Sequence, residues 1–168
     1  MLEVAAIDSP VGRLAIAAHD GRVCALWFGS EPQVRALLAR WFPGEKVSSS
    51  KDPGGAVSAL TAYFAGDLKA LDAIEVELHG TPFQQRVWRR LRSVPAGSTA
   101  SYGQIARAVG APNAVRAVGA ANGANPVALI VPCHRIIGSN GSLTGYGGGL
   151  DRKRWLLTHE SPARQLSF

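Results

Sequence analysis

A cysteine and a histidine stand side by side at positions 133 and 134, in the segment Ile130-Val131-Pro132-Cys133-His134-Arg135. A thiol attacks as its thiolate, and a neighbouring proton acceptor or positive charge is the usual means of forming a thiolate near neutral pH. A cysteine among aliphatic residues is, however, more often a small buried hydrophobic side chain than a nucleophile. The pair leaves both interpretations of Cys133 open, and the surrounding elements must decide between them.

The elements around this pair are those that a protected, activated thiol requires. The apolar run 127–131 predicts a buried segment that leads into the cysteine. A glycine-rich loop at 145–149 allows backbone amides to approach a ligand closely, although it lacks the ending of a phosphate loop. The last predicted helix, 151–160, ends at Glu160, the last carboxylate of the chain. If the fold brings Glu160 to the histidine, the three side chains form a Cys–His–Glu relay.

Length and composition indicate a globular protein without a membrane anchor. The chain has 168 residues, 46% of them hydrophobic, and can bury a core in one domain or in two small ones. No apolar stretch approaches a membrane span and the first residues lack a secretory signal, so a cytoplasmic location is expected. Cys24 and Cys133 would remain thiols there. No cysteine or histidine spacing is typical of zinc, so neither a metal nor a cofactor is predicted.

Charge is distributed unevenly between the two halves of the chain. Residues 1–80 carry seven basic and ten acidic side chains, whereas residues 81–168 carry eleven basic and two acidic ones. No acidic residue occurs between Thr81 and Leu150. Such a one-sided segment indicates a polyanionic partner, first of all nucleic acid. The alternative is a generally basic protein surface without a dedicated partner.

The first half, residues 1–80, predicts a mixed α/β unit that serves as a scaffold. Apolar residues alternate over three segments separated by turn sequences, which predicts three strands, and a further strand is predicted at 74–78. Two amphipathic helices are predicted from two sets of apolar residues at helical spacing, namely Val34, Leu37, Leu38 and Trp41, and Val57, Leu60 and Phe64. No catalytic constellation occurs in this half, and Cys24 is predicted to be structural.

The second half, residues 81–168, predicts a mainly helical domain that contains a helix-turn-helix. Its first two helices begin with capping boxes, Thr81 with Gln84 and Ser101 with Gln104. A third helix is predicted from about residue 113 to 122, and it follows the second after a tight connection that contains glycine. Two such helices form a helix-turn-helix, whose second member would face DNA.

The predicted DNA-facing helix, 113–122, has few long side chains on its outward surface. Asn113, Arg116 and Ala120 share that side, and the opposite side carries Val115, Val118, Gly119 and Asn122. A helix that recognises base edges in the major groove usually carries several long polar side chains, and this one carries a single arginine. Two interpretations remain open. The helix either approaches a narrow groove closely with Arg116 as its probe, or it is an ordinary alanine-rich packing helix.

The stretch from Thr81 to Glu160 resembles the C-terminal domain of the O6-alkylguanine-DNA alkyltransferases, also called methylated-DNA–protein-cysteine methyltransferases. The resemblance rests on seven segments in the right order, namely FQQRVW at 83–88, SYG at 101–103, RAVG at 116–119, NP at 125–126, IVPCHR at 130–135, GY at 145–146 and GGL at 148–150. Residues 1–80 resemble the family only through IDSPVG at 7–12 and AYFAG at 62–66. The family implies an α+β fold, with an inactive ribonuclease H-like lobe followed by the helix-turn-helix domain.

This resemblance implies a repair protein that acts once. Bound in the minor groove of duplex DNA, it would rotate an O6-alkylguanine, and also an O4-alkylthymine, out of the stack and transfer the alkyl group irreversibly to Cys133. His134 would accept the thiol proton through a water molecule, and Glu160 would orient and polarise His134. Tyr102 would stabilise the departing guanine, and Asn125 would brace the turn that carries the cysteine.

The resemblance also implies which residues contact DNA and the damaged base. Arg116 would enter the stack where the guanine has left, and the other DNA contacts would come from Ser101, Tyr102, Asn113 and Ala120. The alkylguanine would be held by Cys133, Ile136, Tyr146, Gly147, Gly148 and Lys153. Gly147 stands where several relatives carry serine. The expected partner is double-stranded DNA, bound by a monomer that is nucleoid-associated when on DNA, with cooperativity on DNA left open.

Two other classes of function compete with alkyl transfer. A non-catalytic lesion binder of the alkyltransferase-like kind would keep the DNA-binding fold but replace the cysteine, and Cys133 argues against that. A cysteine hydrolase would use Cys133 and His134 with an accessible water, and Arg116 has no purpose in it. Some relatives bind zinc in their first half, but this chain does not reproduce their ligand set with His19, Cys24 and His79. No metal is therefore expected.

Overall fold

The computed structural model describes residues 1–161, which divide into two compact units. The first unit comprises Met1–His79 together with Pro126–Ile130. The second comprises Gly80–Asn125 and the chain from Val131 onward. The boundary predicted at residue 80 does not include this return of the chain to the first unit immediately before the cysteine segment.

A four-stranded sheet forms the base of the first unit. Its strand order is β3-β2-β1-β4, with β1 at Leu2–Ile7, β2 at Leu14–His19, β3 at Arg22–Phe28 and β4 at Val47–Ser49. The first three strands pair antiparallel, and β4 pairs parallel with β1. The β2–β3 hairpin turns at Asp20 and Gly21, which both have positive φ, as a tight two-residue turn of this hand requires. All residues of β2 except the last are buried, so both faces of the sheet are covered.

Two helices complete the first unit where the apolar spacing predicted them. Helix α1 spans Glu31–Trp41 and begins with a capping box formed by Ser30 and Gln33. Helix α2 spans Ala56–Phe64 after a 3-10 turn at Pro53–Gly55. Cys24 is fully buried in the core between α1 and the sheet, and burial raises the pKa of its thiol to about 12. These surroundings agree with a structural role for Cys24.

The strand predicted at 74–78 does not form. Val76 makes only an isolated parallel bridge to Val23 of β3, although two backbone hydrogen bonds of 2.9 Å support it. The rest of the same edge is taken by residues distant in sequence, because Val127 bridges Leu26 in the same way. Residues 74–78 and 126–130 therefore share the edge of β3 that the alternation pattern assigned to a single strand. The pairing of Val127 with Leu26 attaches residues 126–130 to the first unit.

As far as residue 161, the second unit contains four α-helices and one short parallel strand pair. The helices are α3 at Pro82–Leu91, α4 at Tyr102–Ala108, α5 at Val115–Gly123 and α6 at Leu150–Glu160, and the strands are β5 at Ala100–Ser101 and β6 at Ile136–Ile137. Both predicted capping boxes are formed. Helices α4 and α5 make the predicted helix-turn-helix, and α3 packs on α5, where the Trp88 indole donates to the Ala121 carbonyl at 2.7 Å. Within residues 1–161, no helix is both long and apolar enough to cross a membrane.

Candidate functional site

The cysteine segment is delivered by a buried run, as the apolar sequence predicted. Residues 127–131 are all buried, and the Asn125 side chain donates to the carbonyl of Val131 at 2.8 Å. Cys133 then begins a single turn of 3-10 helix, Cys133–Arg135. Successive side chains in such a turn are about 120° apart, whereas they would point to opposite faces of an extended segment. Cys133 and His134 are therefore not held on opposite sides of the chain.

His134 and Glu160 come together as the relay requires. The Nε2 atom of His134 lies 2.8 Å from Oε2 of Glu160, and both side chains are buried. Because a carboxylate only accepts, Nε2 carries the proton and Nδ1 is left as an acceptor. Nδ1 is itself buried and has no hydrogen-bond partner among residues 1–161. Burial lowers the pKa of His134 below its ordinary value, which keeps the imidazole neutral.

Arg135 belongs to the same cluster, and the sequence reasoning did not identify it. Its Nε and Nη2 atoms donate to the two carboxylate oxygens of Glu160, each at 2.9 Å, and Nη1 donates to the Val94 carbonyl at 2.7 Å. Burial would raise the pKa of Glu160, but His134 and Arg135 together hold that pKa well below its usual range. Arg135 thus balances the carboxylate charge, so His134 can remain neutral. The signal available in the sequence was an arginine directly after the cysteine–histidine pair, in a half of the chain that has only two acidic side chains, Asp151 and Glu160.

The thiol of Cys133 is protonated in the resting protein. Burial raises its pKa, and this effect outweighs hydrogen bonding by the Asn125 and Tyr146 side chains and the charge of Lys153, which lower it. The expectation of a thiolate formed near neutral pH by its neighbours is therefore not met in this state. The thiol needs a proton acceptor at the moment of reaction.

Buried side chains hold the backbone at both ends of the segment from Cys133 to Ile136. Asn122 donates from Nδ2 to the Cys133 carbonyl at 3.3 Å, and Lys153 donates from Nζ to the Ile136 carbonyl at 2.5 Å. The Tyr102 hydroxyl lies 2.6 Å from Oγ1 of Thr144. The sequence reasoning included Lys153, Ile136 and Tyr102 but assigned no role to Asn122 or Thr144.

The glycine-rich loop leads from this cluster into α6. The backbone amide of Gly149 donates to the Tyr146 carbonyl at 2.9 Å, and Gly149 has a positive φ of 89°. A Cβ atom added at Gly147 would meet no atom within 4 Å. No described neighbour therefore excludes a side chain such as serine at Gly147. Gly148 accepts at its carbonyl from Arg152 at 3.2 Å.

The outward face of α5 is small apart from one arginine. Arg116 and Ala120 are exposed on this face, whereas Val118, Ala121 and Asn122 are buried. Asn113 is also exposed, but it lies in the turn before α5, because the helix begins at Val115 and not at residue 113 as predicted. Val115, which the helical spacing placed on the inner side, is instead 42% exposed, because it is the first residue of the helix and lies beyond the packed turns. The hydroxyl of Ser101 caps α4 by accepting from the Gln104 amide.

A basic surface, separate from the outward face of α5, lies between α3 and the end of α4. It is a groove of about 440 Å³ lined by Arg86, Arg89, Arg90, Ser93, Ala108 and Val109. Among residues 1–161, no carboxylate lies within ion-pair distance of these three arginines. The groove therefore keeps its positive charge for an anion from outside the described chain.

Comparison with known proteins gives consistent matches over nearly the whole chain. Family models described as 6-O-methylguanine DNA methyltransferase match at residues 3–78, for the ribonuclease-like domain, and at residues 82–162, for the DNA binding domain. The methylated-DNA–protein-cysteine methyltransferase of Mycobacterium bovis is 50% identical over 163 residues, which are 95% of this chain and 93% of that protein.

Solved structures give the same result. The crystal structure of Mycobacterium tuberculosis OGT in complex with DNA has a TM-score of 0.77 and 46% identity over 96% of each chain. That of the O6-methylguanine-DNA methyltransferase from the archaeon Pyrococcus kodakaraensis has a TM-score of 0.65 and 27% identity over 95% of this chain and 99% of the other. The predicted fold, a ribonuclease H-like lobe followed by a helical DNA-binding domain, is confirmed.

Proposed function

The chain belongs to the 6-O-methylguanine DNA methyltransferase family, and we propose that it repairs O6-alkylguanine in duplex DNA by transferring the alkyl group to its own Cys133. One observation carries the proposal. Cys133 is followed in a buried turn by His134, a neutral imidazole whose Nε2 is held by Glu160 and whose Nδ1 can accept a proton. Because the thioether product is stable, each molecule acts once.

The chemical step is a direct displacement at the alkyl carbon. The Cys133 sulfur bonds to that carbon as the bond from carbon to O6 breaks, and guanine departs with the electron pair of that bond. The thiol proton passes through a water molecule to Nδ1 of His134, and the guanine, which leaves as an anion, takes up one proton from water. Tyr102 assists the departing guanine with its hydroxyl group.

The electrostatics of the buried cluster support this order of events. Because burial raises the pKa of Cys133, the proton leaves the thiol as the sulfur attacks rather than before the base binds. His134 is available to accept it because burial keeps the imidazole neutral. Glu160 then stabilises the imidazolium that forms, and Arg135 keeps Glu160 ionised in the meantime.

Binding to DNA is assigned to the helix-turn-helix of α4 and α5. The exposed side of α5 carries small residues and Arg116, so the helix backbone can approach the minor groove closely. Arg116 occupies the place in the stack that the rotated guanine leaves, and Asn113, Ala120 and Ser101 lie against the DNA backbone. The excess of basic residues after position 80 supplies the sequence-independent part of the affinity.

The loop around Tyr146 and the start of α4 close over the extruded base. The carbonyls of Cys133 and Ile136 accept hydrogen bonds from the base edge, and the amide of Gly147 donates one, while Tyr146 packs on the ring. In the resting protein the Tyr102 hydroxyl is hydrogen-bonded to the Thr144 side chain. That hydroxyl exchanges partners when the damaged nucleotide enters. An O4-alkylthymine is proposed as a second, smaller substrate of the same site.

Alkyl transfer accounts for these features better than the two competing functions do. A lesion binder has no use for a buried cysteine beside a neutral histidine. A hydrolase has to admit water to its nucleophile in every cycle, and Cys133 is only 6% exposed. We propose a cytoplasmic protein that acts as a monomer and associates with the nucleoid when bound to DNA.

A stoichiometric transfer experiment tests this function. A duplex with labelled O6-methylguanine should transfer at most one methyl group per protein chain, and peptide mass spectrometry should find it on Cys133. Cys133→Ala should bind the duplex and take up none, whereas Cys24→Ala, in the core of the first unit, should still take up one. Repeated turnover, or label on Cys24, would refute the proposed reaction.

A further inference from the structure

Thr144 lies in the loop between β6 and α6, and its side chain contacts the hydroxyl group of Tyr102. Oγ1 of Thr144 and the Tyr102 oxygen are 2.6 Å apart, and either hydroxyl can be the donor. The carbonyl of Thr144 accepts from Nζ of Lys153 at 3.5 Å, and Lys153 is fully buried. Thr144 is therefore contacted at its side chain by the first residue of α4 and at its backbone by a buried residue of α6.

The ring of Tyr102 is positioned by two helices. Tyr102 is the first residue of α4, where the capping box of Ser101 and Gln104 fixes the backbone. A Cβ atom added at Gly119 of α5 would lie 3.9 Å from the Tyr102 ring, so the ring lies beside the α5 backbone. The hydroxyl hydrogen can still rotate, and Thr144 is the residue that contacts this hydroxyl group.

The direction of the hydrogen bond between the two hydroxyl groups decides what Tyr102 can do in the reaction. If Tyr102 donates to Thr144, its only hydroxyl hydrogen is used. If Thr144 donates to Tyr102, that hydrogen is available to another acceptor. A hydroxyl group that accepts a hydrogen bond also becomes a stronger donor, because hydrogen bonds in a chain polarise one another. Thr144 can therefore begin a chain of hydrogen bonds that ends on the damaged base.

We infer that Thr144 is a positioning residue that acts through Tyr102 in alkyl transfer. This inference rests on the proposed function. When the nucleotide enters, the Tyr102 hydrogen turns from Thr144 to a ring nitrogen of the guanine, and the Thr144 hydroxyl donates to the Tyr102 oxygen. Negative charge develops on the guanine as the bond from carbon to O6 breaks, so the hydrogen bond from Tyr102 strengthens in the transition state. Tyr102 keeps its proton, and the stoichiometry of the transfer is unchanged.

The test uses Thr144→Val, which keeps the branched shape of the side chain and removes its hydroxyl group. Single-turnover transfer is measured at saturating duplex that carries either O6-methylguanine or O6-methyl-8-azaguanine. The added ring nitrogen withdraws electrons, so 8-azaguanine leaves more readily and depends less on a hydrogen bond. Thr144→Val should slow transfer from O6-methylguanine by about three- to tenfold, as expected for one hydrogen bond, and transfer from the 8-aza base by less than about twofold. Thr144→Ser retains a hydroxyl group and should restore most of the rate.

A double-mutant cycle tests whether Thr144 acts through Tyr102. In a Tyr102→Phe background, Thr144→Val should change the rate by less than about twofold, because the hydroxyl group that it orients is absent. Ser142→Ala is the matched control, since it removes a hydroxyl group from the same loop, where Ser142 donates to Asn140. It should change the rate by less than about twofold in both backgrounds.

Three results would overturn the inference alone. They are an unchanged rate in Thr144→Val, an equal decrease with both bases, and a full effect of Thr144→Val in the Tyr102→Phe background. An equal decrease would mean that Thr144 only packs the loop. Thr144→Ala carries the same expectations and replaces the valine variant if that variant does not fold. No transfer by the wild-type protein from the O6-methylguanine duplex would overturn the proposed function as well.

Discussion

Replacing Glu160 by glutamine tests the centre of the proposed mechanism. The carboxylate accepts three hydrogen bonds, one from His134 and two from Arg135, all between 2.8 and 2.9 Å. Glutamine has a single oxygen and brings an NH₂ group in place of the other. In Glu160→Gln, therefore, the NH₂ group faces a donor of Arg135 in one orientation and donors of both His134 and Arg135 in the other, and the Arg135 charge is left buried without a counter-ion.

The expected effects on stability and rate follow from these hydrogen bonds. Removing one partner of a buried ion pair costs about 3–5 kcal/mol. For a chain of this size, each kcal/mol lowers Tm by about 2–4 °C, so Glu160→Gln should melt about 6–20 °C below the wild type. A neutral amide in place of a charge-assisted bond to the imidazolium should slow alkyl transfer by about 10- to 100-fold.

The assay is single-turnover transfer from a labelled O6-methylguanine duplex, well below the Tm of the variant. DNA affinity is measured in parallel and should be unchanged, because Glu160 is buried and cannot contact DNA. The pH dependence of iodoacetamide labelling at Cys133 reports the thiol directly. Asp151→Asn is the matched control, an acid-to-amide change on the same helix at an exposed ion pair with Arg154. It should leave the transfer rate unchanged and alter stability by less than about 1 kcal/mol.

The result that refutes this reasoning is specific. If Glu160→Gln keeps the wild-type transfer rate and labelling profile while its Tm falls, the carboxylate only stabilises the fold. His134 then does not need Glu160 in order to accept the thiol proton. If Tm is also unchanged, the ion pair with Arg135 does not stabilise the fold as the geometry indicates. A labelling profile shifted to higher pH, together with slower transfer, is the outcome that the relay requires.

Three further predictions follow from the same structure. Arg116→Ala should impair repair of duplex DNA more than reaction with free O6-benzylguanine, because Arg116 is an exposed probe on α5; equal decreases on both substrates would contradict its insertion into the stack. DNA affinity should fall steeply with salt concentration. The double variant Arg86→Gln and Arg90→Gln in the α3–α4 groove should reduce the slope of log affinity against log salt concentration by about 0.9 for each phosphate that the protein no longer neutralises. An unchanged slope would place the groove away from DNA. The folded-state pKa values of His134 and Glu160 are both lowered, so the unfolded chain binds more protons in acid than the folded protein does. Tm should therefore decline as pH falls below about 6.5, and decline further below about 4.5. A Tm that is constant from pH 7 to 4 would contradict this.

Local chemistry explains why so many helix starts could be predicted. The capping boxes at Thr81 and Ser101 depend only on side chains three residues away, and both are formed. The buried run before Cys133 is likewise apparent from composition alone. The seven family segments made the DNA-binding domain recognisable because each has a characteristic residue pattern, and the comparisons confirmed that family.

Predictions failed where the outcome depended on pairing across the chain. The alternating residues at 74–78 have a strand pattern, yet the β3 edge accepts only Val76 because Val127 occupies the next position. Val115 has an apolar side chain at a helical spacing, but the packing of α5 begins one turn later and leaves it 42% exposed. A pattern in sequence indicates which residues prefer burial, but it does not indicate which partners are present to bury them.

The amino-acid sequence by itself determined the chemistry that is available: one cysteine beside one histidine, a basic second half with only two acidic side chains, of which Glu160 is the last, and a helix with one long outward side chain. Only the tertiary structure decided how these groups act. His134 and Glu160 are 26 positions apart, and folding brought them to 2.8 Å and added Arg135 to the pair. Burial set the protonation of Cys133. Proton affinity depends on the dielectric environment and on nearby charges, and these exist only once distant segments are packed together.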